Sequence, residues 1–322
     1  MGRHGGLAVR RWGAAVIAST AALAVAVPAT SAQAAPAART AQAAPAAAGP
    51  SGISAKGAYL LDSGANKKLW SKGPDTRRQM ASITKLMTAV VVLDTRGVNL
   101  SKKVTVKQAY LDYIRTSGGS AADLKKGDKL TVRQLLYGML LPSGCDAAMA
   151  LADTFGSGST TAKRTKSFVA KMNKKAKALG MSKTRYDSFD GISTHGSNYT
   201  TARDLSKLAR HALGNATLRT VVKTVDTEQK APAANGRTRY YYWTNSNKLL
   251  GSYNGAIGIK TGTGTAAGKC IVFAAKRSGR TVVGVLLGDS NRYPDAKKML
   301  DWAYHTRTAV TWRQLPAGAP QD

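Results

Sequence analysis

Acidic side chains are scarce in this chain of 322 residues, where 17 Asp and Glu stand against 48 Lys and Arg. Glu228 is the only glutamate, and the sequence contains neither an H-E-x-x-H motif nor a G-x-S-x-G motif. The first absence argues against a zinc peptidase, and the second argues against a Ser-His-Asp hydrolase of the nucleophile-elbow type. We therefore expect no metal ion and no cofactor.

Histidine and cysteine are nearly as rare. The histidines are His4, His195, His211 and His305. His4 precedes the domain, and we expect the other three to have structural or surface roles. Cys145 and Cys270 are too few for a disulfide framework, although an exported chain would permit one bridge between them.

The N-terminal residues have the order of an export signal. An apolar run over residues 13–27 is too short to span a bilayer comfortably, basic residues precede it, and Ala32-Gln33-Ala34 follows it. We predict a signal peptide over residues 1–34. The repeated AQAAPAA leaves a second cleavage point after Ala43, and Arg10-Arg11 leaves a twin-arginine route open.

Residues 35–52 are rich in Ala and Pro and predict a linker. Residues 1–34 carry three basic and no acidic side chains, so their removal leaves 45 against 17, a net charge of +28. For an exported chain this charge favours anionic lipid or anionic wall polymers as partners rather than nucleic acid. The basic residues are spread out without interleaved aromatic residues, so a solvated basic surface is the alternative.

Strand patterns lie at both ends of one predicted domain, residues 53–310, with residues 311–322 as a tail. The predicted strands cover residues 58–62, 67–71, 240–244, 255–260, 269–276 and 281–287. A helix over residues 294–304 follows them. Strands from both ends of the chain predict one antiparallel sheet.

Helical patterns dominate the middle of the chain. The run from Ser82 to Leu93 has scarcely a polar face, which predicts a helix buried within the domain. Amphipathic stretches follow at residues 132–141, 147–155, 165–179 and 201–213. The predicted fold is α/β plus α: an antiparallel sheet (about 53–97 and 223–310) flanked by helices, with an inserted all-helical subdomain (about 98–222).

Ser82 and Lys85 form the chain's only S-x-x-K, at the start of the predicted buried helix. Residues at i and i+3 share one helix face, so the hydroxyl and the amine are neighbours. A desolvated lysine near another cation can lose its proton and accept that of a serine. This pair is therefore a candidate nucleophile and base.

Lys260-Thr261-Gly262 is the chain's only K-T-G, placed at the end of a predicted strand. A lysine and a hydroxyl on a strand edge can bind a substrate carboxylate, and a glycine lets a ligand backbone approach closely. Ser82 and Lys260 are 178 residues apart, so only the fold can bring them together. A basic hairpin without function is the alternative.

S-x-x-K followed by K-T-G resembles the penicillin-binding proteins and serine β-lactamases. Longer stretches resemble the low-molecular-mass penicillin-binding proteins that are serine D-alanyl-D-alanine carboxypeptidases: AYLLDSGANKKLWSKGPDTRRQMASITKLMTAVVVLD, LPSGCDAAMALAD, NYTTARDLSKLARHAL and TNSNKLLGSYNGAIGIKTGTGTAAGKC. The similarity covers roughly residues 53–305 and implies a penicillin-binding, β-lactamase-like fold. It also implies peptidoglycan pentapeptide stems as substrates and β-lactams as inhibitors.

The resemblance implies a role for each matched residue. Ser82 would be acylated and Lys85 would accept its proton, while Ser143 would pass a proton to the leaving D-alanine. Lys260 and Thr261 would hold the terminal carboxylate or assist that proton relay, with Gly262 between them and Thr263. The backbone N–H groups of Ser82 and Thr263 would form the oxyanion hole.

Cys145 departs from the family's usual Ser-x-Asn, because the third residue of Ser143-Gly144-Cys145 is a thiol rather than an amide. Ser252-Tyr253-Asn254 also fits that pattern, but it lies only six residues before Lys260. We expect Cys145 to lie free in the cleft among the substrate-binding residues, without a bridge to Cys270, where Lys85 or Lys260, if charged, would promote its thiolate form. A nucleophilic Cys145 is the alternative, although no histidine accompanies it locally.

Three functions remain open from the sequence. The leading one is a serine carboxypeptidase that forms an acyl-enzyme on Ser82. A transpeptidase shares the same residues, and a catalytically silent wall-binding protein would share the basic surface. A class A β-lactamase is disfavoured, because Glu228 lacks the context of that enzyme's deacylating glutamate.

Overall fold

The computed structural model describes residues 49–193 and 195–319. The predicted signal peptide, residues 35–48 of the predicted linker and the last three residues of the tail lie outside the described residues. No helix in the described ranges is both long and apolar enough to span a bilayer.

The strands follow the chain as β1 (Gly57–Asp62), β2 (Lys67–Lys72), β3 (Arg78–Gln79), β4 (Lys103–Thr105), β5 (Lys129–Thr131), β6 (Tyr199–Thr200), β7 (Asp226–Pro232), β8 (Thr238–Thr244), β9 (Ala256–Gly264), β10 (Gly268–Arg277) and β11 (Arg280–Asp289). The helices are α1 (Thr84–Leu93), α2 (Gln108–Ser117), α3 (Val132–Leu140), α4 (Cys145–Phe155), α5 (Thr161–Ala178), α6 (Ala202–Gly214), α7 (Ala216–Lys223) and α8 (Arg292–Tyr304).

The main sheet has five strands in the order β2-β1-β11-β10-β9, and every neighbouring pair is antiparallel. Both ends of the domain therefore supply strands, as the sequence predicts. The helix α8 covers one face through Ala296, Met299 and Leu300, which pack with Leu60 and Phe273 of the sheet. The other face packs on α6, while α7 contacts β9.

The helix α1 is the centre of the domain, since all ten of its residues are buried. This matches its sequence, which offers no polar face to solvent. Helices α2 to α7 lie between the two sets of sheet strands, in the region predicted as an insert. That region is not entirely helical, because β4 pairs with β5 within it.

The structure differs from the sequence predictions in three further places. Ser82 lies in a separate 3₁₀ turn, Ala81–Ile83, and α1 begins only at Thr84. The strand β8 pairs with β7 in a hairpin of its own instead of joining the main sheet. The K-T-G triplet lies inside β9, which continues to Gly264, because β10 pairs with it along that length.

The predicted tail folds back on the domain. The ring of Trp312 lies 5.8 Å from that of Tyr293 at the start of α8. Arg313 donates a hydrogen bond of 2.5 Å to the carbonyl oxygen of Asn245. The described tail residues thus pack against the segment that links β8 to β9 and against the start of α8.

Gly284 of β11 lies opposite Phe273 of β10, and a Cβ at Gly284 would stand 2.0 Å from the phenyl ring. We predict that Gly284→Ala lowers the free energy of unfolding by about 1–3 kcal/mol, because the ring must leave a packed core. Urea denaturation measures this change.

Gly214→Ala is the matched control, because nothing lies within 4 Å of its Cβ position at the end of α6. This variant should be as stable as the parent or slightly more stable, since alanine favours a helix. Equal stability of the two variants would contradict the packing argument.

Candidate active site

Ser82 and Lys85 meet at the junction between the 3₁₀ turn and α1. Lys85 Nζ lies 2.9 Å from Ser82 Oγ, and the lysine is 0% exposed. Ala81 has a φ of +47°, a left-handed conformation that is costly for a residue with a Cβ. Packing around the turn holds Ala81 in this left-handed conformation. The hydroxyl of Ser82 therefore points towards the amine of Lys85.

Ser143 joins this pair to the main sheet. Its Oγ lies 3.4 Å from Lys85 Nζ and 3.0 Å from Lys260 Nζ. Ser143 is fully buried and has a φ of +66°, so the loop before α4 is bent to place its hydroxyl between the two amines. Two nitrogens thus share one hydroxyl oxygen, which has two acceptor sites.

Lys260 and Thr261 project from β9 and are each 1% exposed. Lys260 Nζ also donates to the carbonyl oxygen of Thr261 at 3.0 Å. Thr261 Oγ1 lies 2.8 Å from Ser246 Oγ, in the segment that links β8 to β9. The structure therefore brings both sequence motifs together around Ser143.

Gly262 is required by the closeness of β9 to the 3₁₀ turn that carries Ser82. A Cβ there would stand 3.0 Å from the backbone nitrogens of Ser82 and Ile83 and from the carbonyl oxygen of Met80. Any larger residue would push the strand from the turn. The next residue, Thr263, is exposed and accepts a hydrogen bond of 2.9 Å from Arg292.

Cys145 is the first residue of α4 and is 1% exposed. Cys145 and Cys270 are both free, which confirms the prediction that they form no bridge. Burial raises the pKa of Cys145 to about 12, although Lys85 opposes the shift. The expectation that nearby lysines promote its thiolate was therefore wrong, because desolvation outweighs their charge.

The alternative second motif lies elsewhere. Ser252 follows β8, and its Oγ accepts a hydrogen bond from the backbone of Arg313 in the tail. Tyr253 packs with the core beneath α8 and bonds Asp301. Of the two candidates, Ser143-Gly144-Cys145 is the one whose hydroxyl reaches Lys85 and Lys260.

Sequence reasoning missed several residues that hold the site. The carbonyl oxygen of Asp190 lies 3.2 Å from Lys85 Nζ, and its carboxylate accepts from Tyr113 at 2.8 Å. Arg292 donates to Gly262 O at 3.0 Å and ties α8 to β9. The only signal for Ser246 was its place in the last of the four quoted stretches, whereas Asp190 and Arg292 belong to no motif.

Glu228 lies on β7, away from these residues. Its carboxylate is 3.7 Å from Lys230 and its backbone pairs with Tyr242 of β8. Its position fits the sequence argument that this glutamate does not serve the nucleophile.

A family model described as D-alanyl-D-alanine carboxypeptidase matches residues 40–291. The D-alanyl-D-alanine carboxypeptidase of Streptomyces sp. (strain K15) is 50% identical over 256 residues, which are 78% of this chain and 88% of that protein. D-alanyl-D-alanine carboxypeptidase DacF of Bacillus subtilis (strain 168) is 32% identical over 256 residues, 78% of this chain and 62% of that protein.

Solved structures give the same match. The crystal structure of the Streptomyces K15 DD-transpeptidase has a TM-score of 0.78 at 50% identity, and the match covers 80% of this chain and 99% of that one. The D-alanyl-D-alanine carboxypeptidase from Mycobacterium tuberculosis H37Rv has a TM-score of 0.69 at 30% identity, and the match covers 84% of this chain and 97% of that one.

Cys145 should react slowly with alkylating reagents in the folded protein. A pKa of about 12, against an ordinary value of 9.0, leaves about a thousandfold less thiolate at pH 8. We predict that iodoacetamide labels Cys145 far faster in urea than in the native state, and that native labelling accelerates as pH rises. Peptide mapping by mass spectrometry measures both rates.

Ser101→Cys provides an accessible thiol as a control, since Ser101 is exposed. That thiol should label quickly in both states. If Cys145 in the native protein were labelled as fast as the control thiol, the conclusion that Cys145 is buried would be contradicted.

Proposed function

Because the chain belongs to the family of D-alanyl-D-alanine carboxypeptidases, we propose that it cleaves the terminal bond of peptidoglycan stems ending in D-Ala-D-Ala, with Ser82 as the acylated residue. Membership confirms the predicted enzyme class, a serine peptidase of the penicillin-binding type, and the fold that goes with it. The observation that carries the residue assignment is the 2.9 Å contact between Ser82 Oγ and Lys85 Nζ.

Acylation needs Ser82 Oγ to lose a proton as it attacks the carbonyl carbon of the penultimate D-alanine. Lys85 accepts that proton, since its amine is the group at hydrogen-bond distance. Ser143 then passes a proton from the amines beside it to the leaving nitrogen of the terminal D-alanine. The product is an ester on Ser82 and free D-alanine.

Lys260 and Thr261 hold the terminal carboxylate of the substrate. The carboxylate accepts hydrogen bonds from the lysine amine and from the threonine hydroxyl, and its negative charge strengthens them. The backbone N–H groups of Ser82 and Thr263 stabilise the oxyanion, and Gly262 lets β9 lie against the nucleophile turn. Cys145 lies at the start of α4, with its Sγ 4.0 Å from the carbonyl oxygen of Ser143, so its substrate-binding role is to shape the wall of the cleft from behind.

Transpeptidation is the second candidate, and one observation favours it. The relative from strain K15 is named a carboxypeptidase, while its crystal structure is titled a DD-transpeptidase. Both reactions share the acyl-enzyme on Ser82 and differ in whether water or an amine takes the acyl group. A silent wall-binding protein is disfavoured by the connected polar groups from Ser82 to Lys260.

We also propose that residues 1–34 are removed on export and that residues 53–310 form the catalytic domain, with its substrate in the cell wall. β-Lactams inhibit it by acylating Ser82.

The net charge of +28 that remains attracts anionic wall polymers. Retention on such polymers should weaken as salt is added, because exposed charges are screened beyond ~10 Å at 0.1 M.

Release of D-alanine from a peptide ending in D-Ala-D-Ala tests the function. We predict that Lys85→Ala lowers kcat by ~10²–10⁴-fold, the usual range for loss of a general base. Product masses with and without an added amine separate the carboxypeptidase from the transpeptidase.

Lys126→Ala, at an exposed lysine of the insert, is the control and should keep full activity. Thermal unfolding of both variants shows whether the fold survives. A folded Lys85→Ala enzyme with unchanged turnover would remove Lys85 from the mechanism.

A further inference from the structure

A cavity of about 550 Å³ opens beside the end of β9. Its walls come from the segment before β1, from β3, from the turn that joins β9 to β10 and from the end of β11. Three of its lining residues are basic, namely Lys56, Arg77 and Arg78, while Asp289 is its one acidic residue. The cavity therefore favours an anion.

The cavity lies close to the nucleophile. Gln79 in its wall precedes Ser82 by three residues, and Thr265 in the opposite wall follows Thr263 by two. A residue of extended chain spans at most ~3.6 Å, so both walls lie within about 11 Å of the acylating turn and the proposed oxyanion hole. A bound peptide reaches this distance in two or three residues.

The two arginines are held in place without an acidic partner. The guanidinium of Arg77 lies 4.9 Å from the centre of the Tyr199 ring. Arg78 donates to the carbonyl oxygen of Lys56 at 3.0 Å, and Gly57 leaves room for its side chain, since a Cβ there would stand 3.2 Å from Nε. Positioned guanidinium groups bind a carboxylate at a smaller entropy cost than free ones.

Neither arginine forms a salt bridge within the part of the chain that the structure describes, and the buried Nε of Arg78 has no hydrogen-bond partner there. Asp289 does not form a salt bridge with either arginine. Its Oδ1 accepts from Ser54 Oγ at 2.7 Å and from the backbone of Asn291 at 2.5 Å. The two guanidinium groups of the cavity thus lack a carboxylate partner among the described residues, and the buried Oδ2 of Asp289 is the one acceptor there without a donor of its own.

The direction of the substrate leads into this cavity, an argument that rests on the proposed function. With the terminal carboxylate at Lys260 and Thr261 and the scissile carbonyl at Thr263, the residues before the D-Ala-D-Ala end continue along β9. They pass Gly264 and reach Thr265, where the cavity begins.

We propose that this cavity is a specificity subsite, in which Arg77 and Arg78 bind a carboxylate carried by one of the two residues before the D-Ala-D-Ala end of the substrate. The enzyme thereby distinguishes stems that carry a free carboxylate there from stems in which it is amidated. A neutral amide can accept hydrogen bonds from a guanidinium, but it lacks the charge that makes such bonds strong.

Two matched pairs of peptides test the subsite with the unmodified enzyme. In one pair glutamate or glutamine directly precedes D-Ala-D-Ala, and in the other the same exchange lies one residue earlier. We expect kcat/KM to be roughly five- to tenfold higher for the carboxylate in at least one pair. Equal values, within a factor of about two, in both pairs would overturn the subsite.

Arg77→Gln with Arg78→Gln should bring the carboxylate-to-amide ratio of kcat/KM close to one. Arg96→Gln makes the same exchange at an exposed arginine after the far end of α1 and should keep the parent ratio. Arg77→Gln alone, at an exposed position, serves if the double variant does not fold. A variant that retains the parent ratio would also overturn the subsite.

Failure of the subsite and failure of the proposed function have different signatures. Acylation of the unmodified enzyme by penicillin reports Ser82 and Lys85, because it needs no peptide before the D-Ala-D-Ala position. Acylation with no carboxylate preference would refute the subsite alone, whereas the absence of acylation would refute the function.

Discussion

The hydroxyl of Ser143 is the point at which the two halves of the domain are joined. Lys85 reaches it from α1 and Lys260 reaches it from β9, across 58 and 117 residues of sequence respectively. Burying two amines is costly unless each finds hydrogen-bond partners, so this shared oxygen fixes how the helical insert lies against the sheet. The residues proposed for acylation, proton transfer and carboxylate binding are thereby connected through one hydroxyl group.

Several local features allow Lys85, Ser143 and Lys260 to meet. Ala81 and Ser143 both adopt left-handed backbone conformations, which cost free energy and persist where the surroundings hold them. Gly262 lets the 3₁₀ turn that carries Ser82 lie directly against β9. Around them α1 is buried on every side, so its first turn has little freedom to carry Lys85 away from Ser82.

Patterns in the sequence predicted much of this, because they reflect short-range rules. The closeness of Ser82 to Lys85, three residues apart, and the apolar runs of the sheet strands depend on neighbours within a few residues, although Ser82 lies in the turn before α1 rather than in the helix. Longer-range features escaped prediction. The free hairpin of β7 and β8, the carbonyl of Asp190 beside Lys85 and the tie from Arg292 to β9 arise from tertiary packing. The thiolate expectation for Cys145 failed because burial cannot be read from charge spacing.

The central claim is that Ser82, activated by Lys85, is the residue that is acylated. Intact-mass analysis of the purified enzyme after exposure to penicillin, followed by peptide mapping, tests it most directly. The account predicts one adduct per chain, located on Ser82 and absent from Ser82→Ala. An adduct on Ser143 or Cys145, or one that survives in Ser82→Ala, would contradict it.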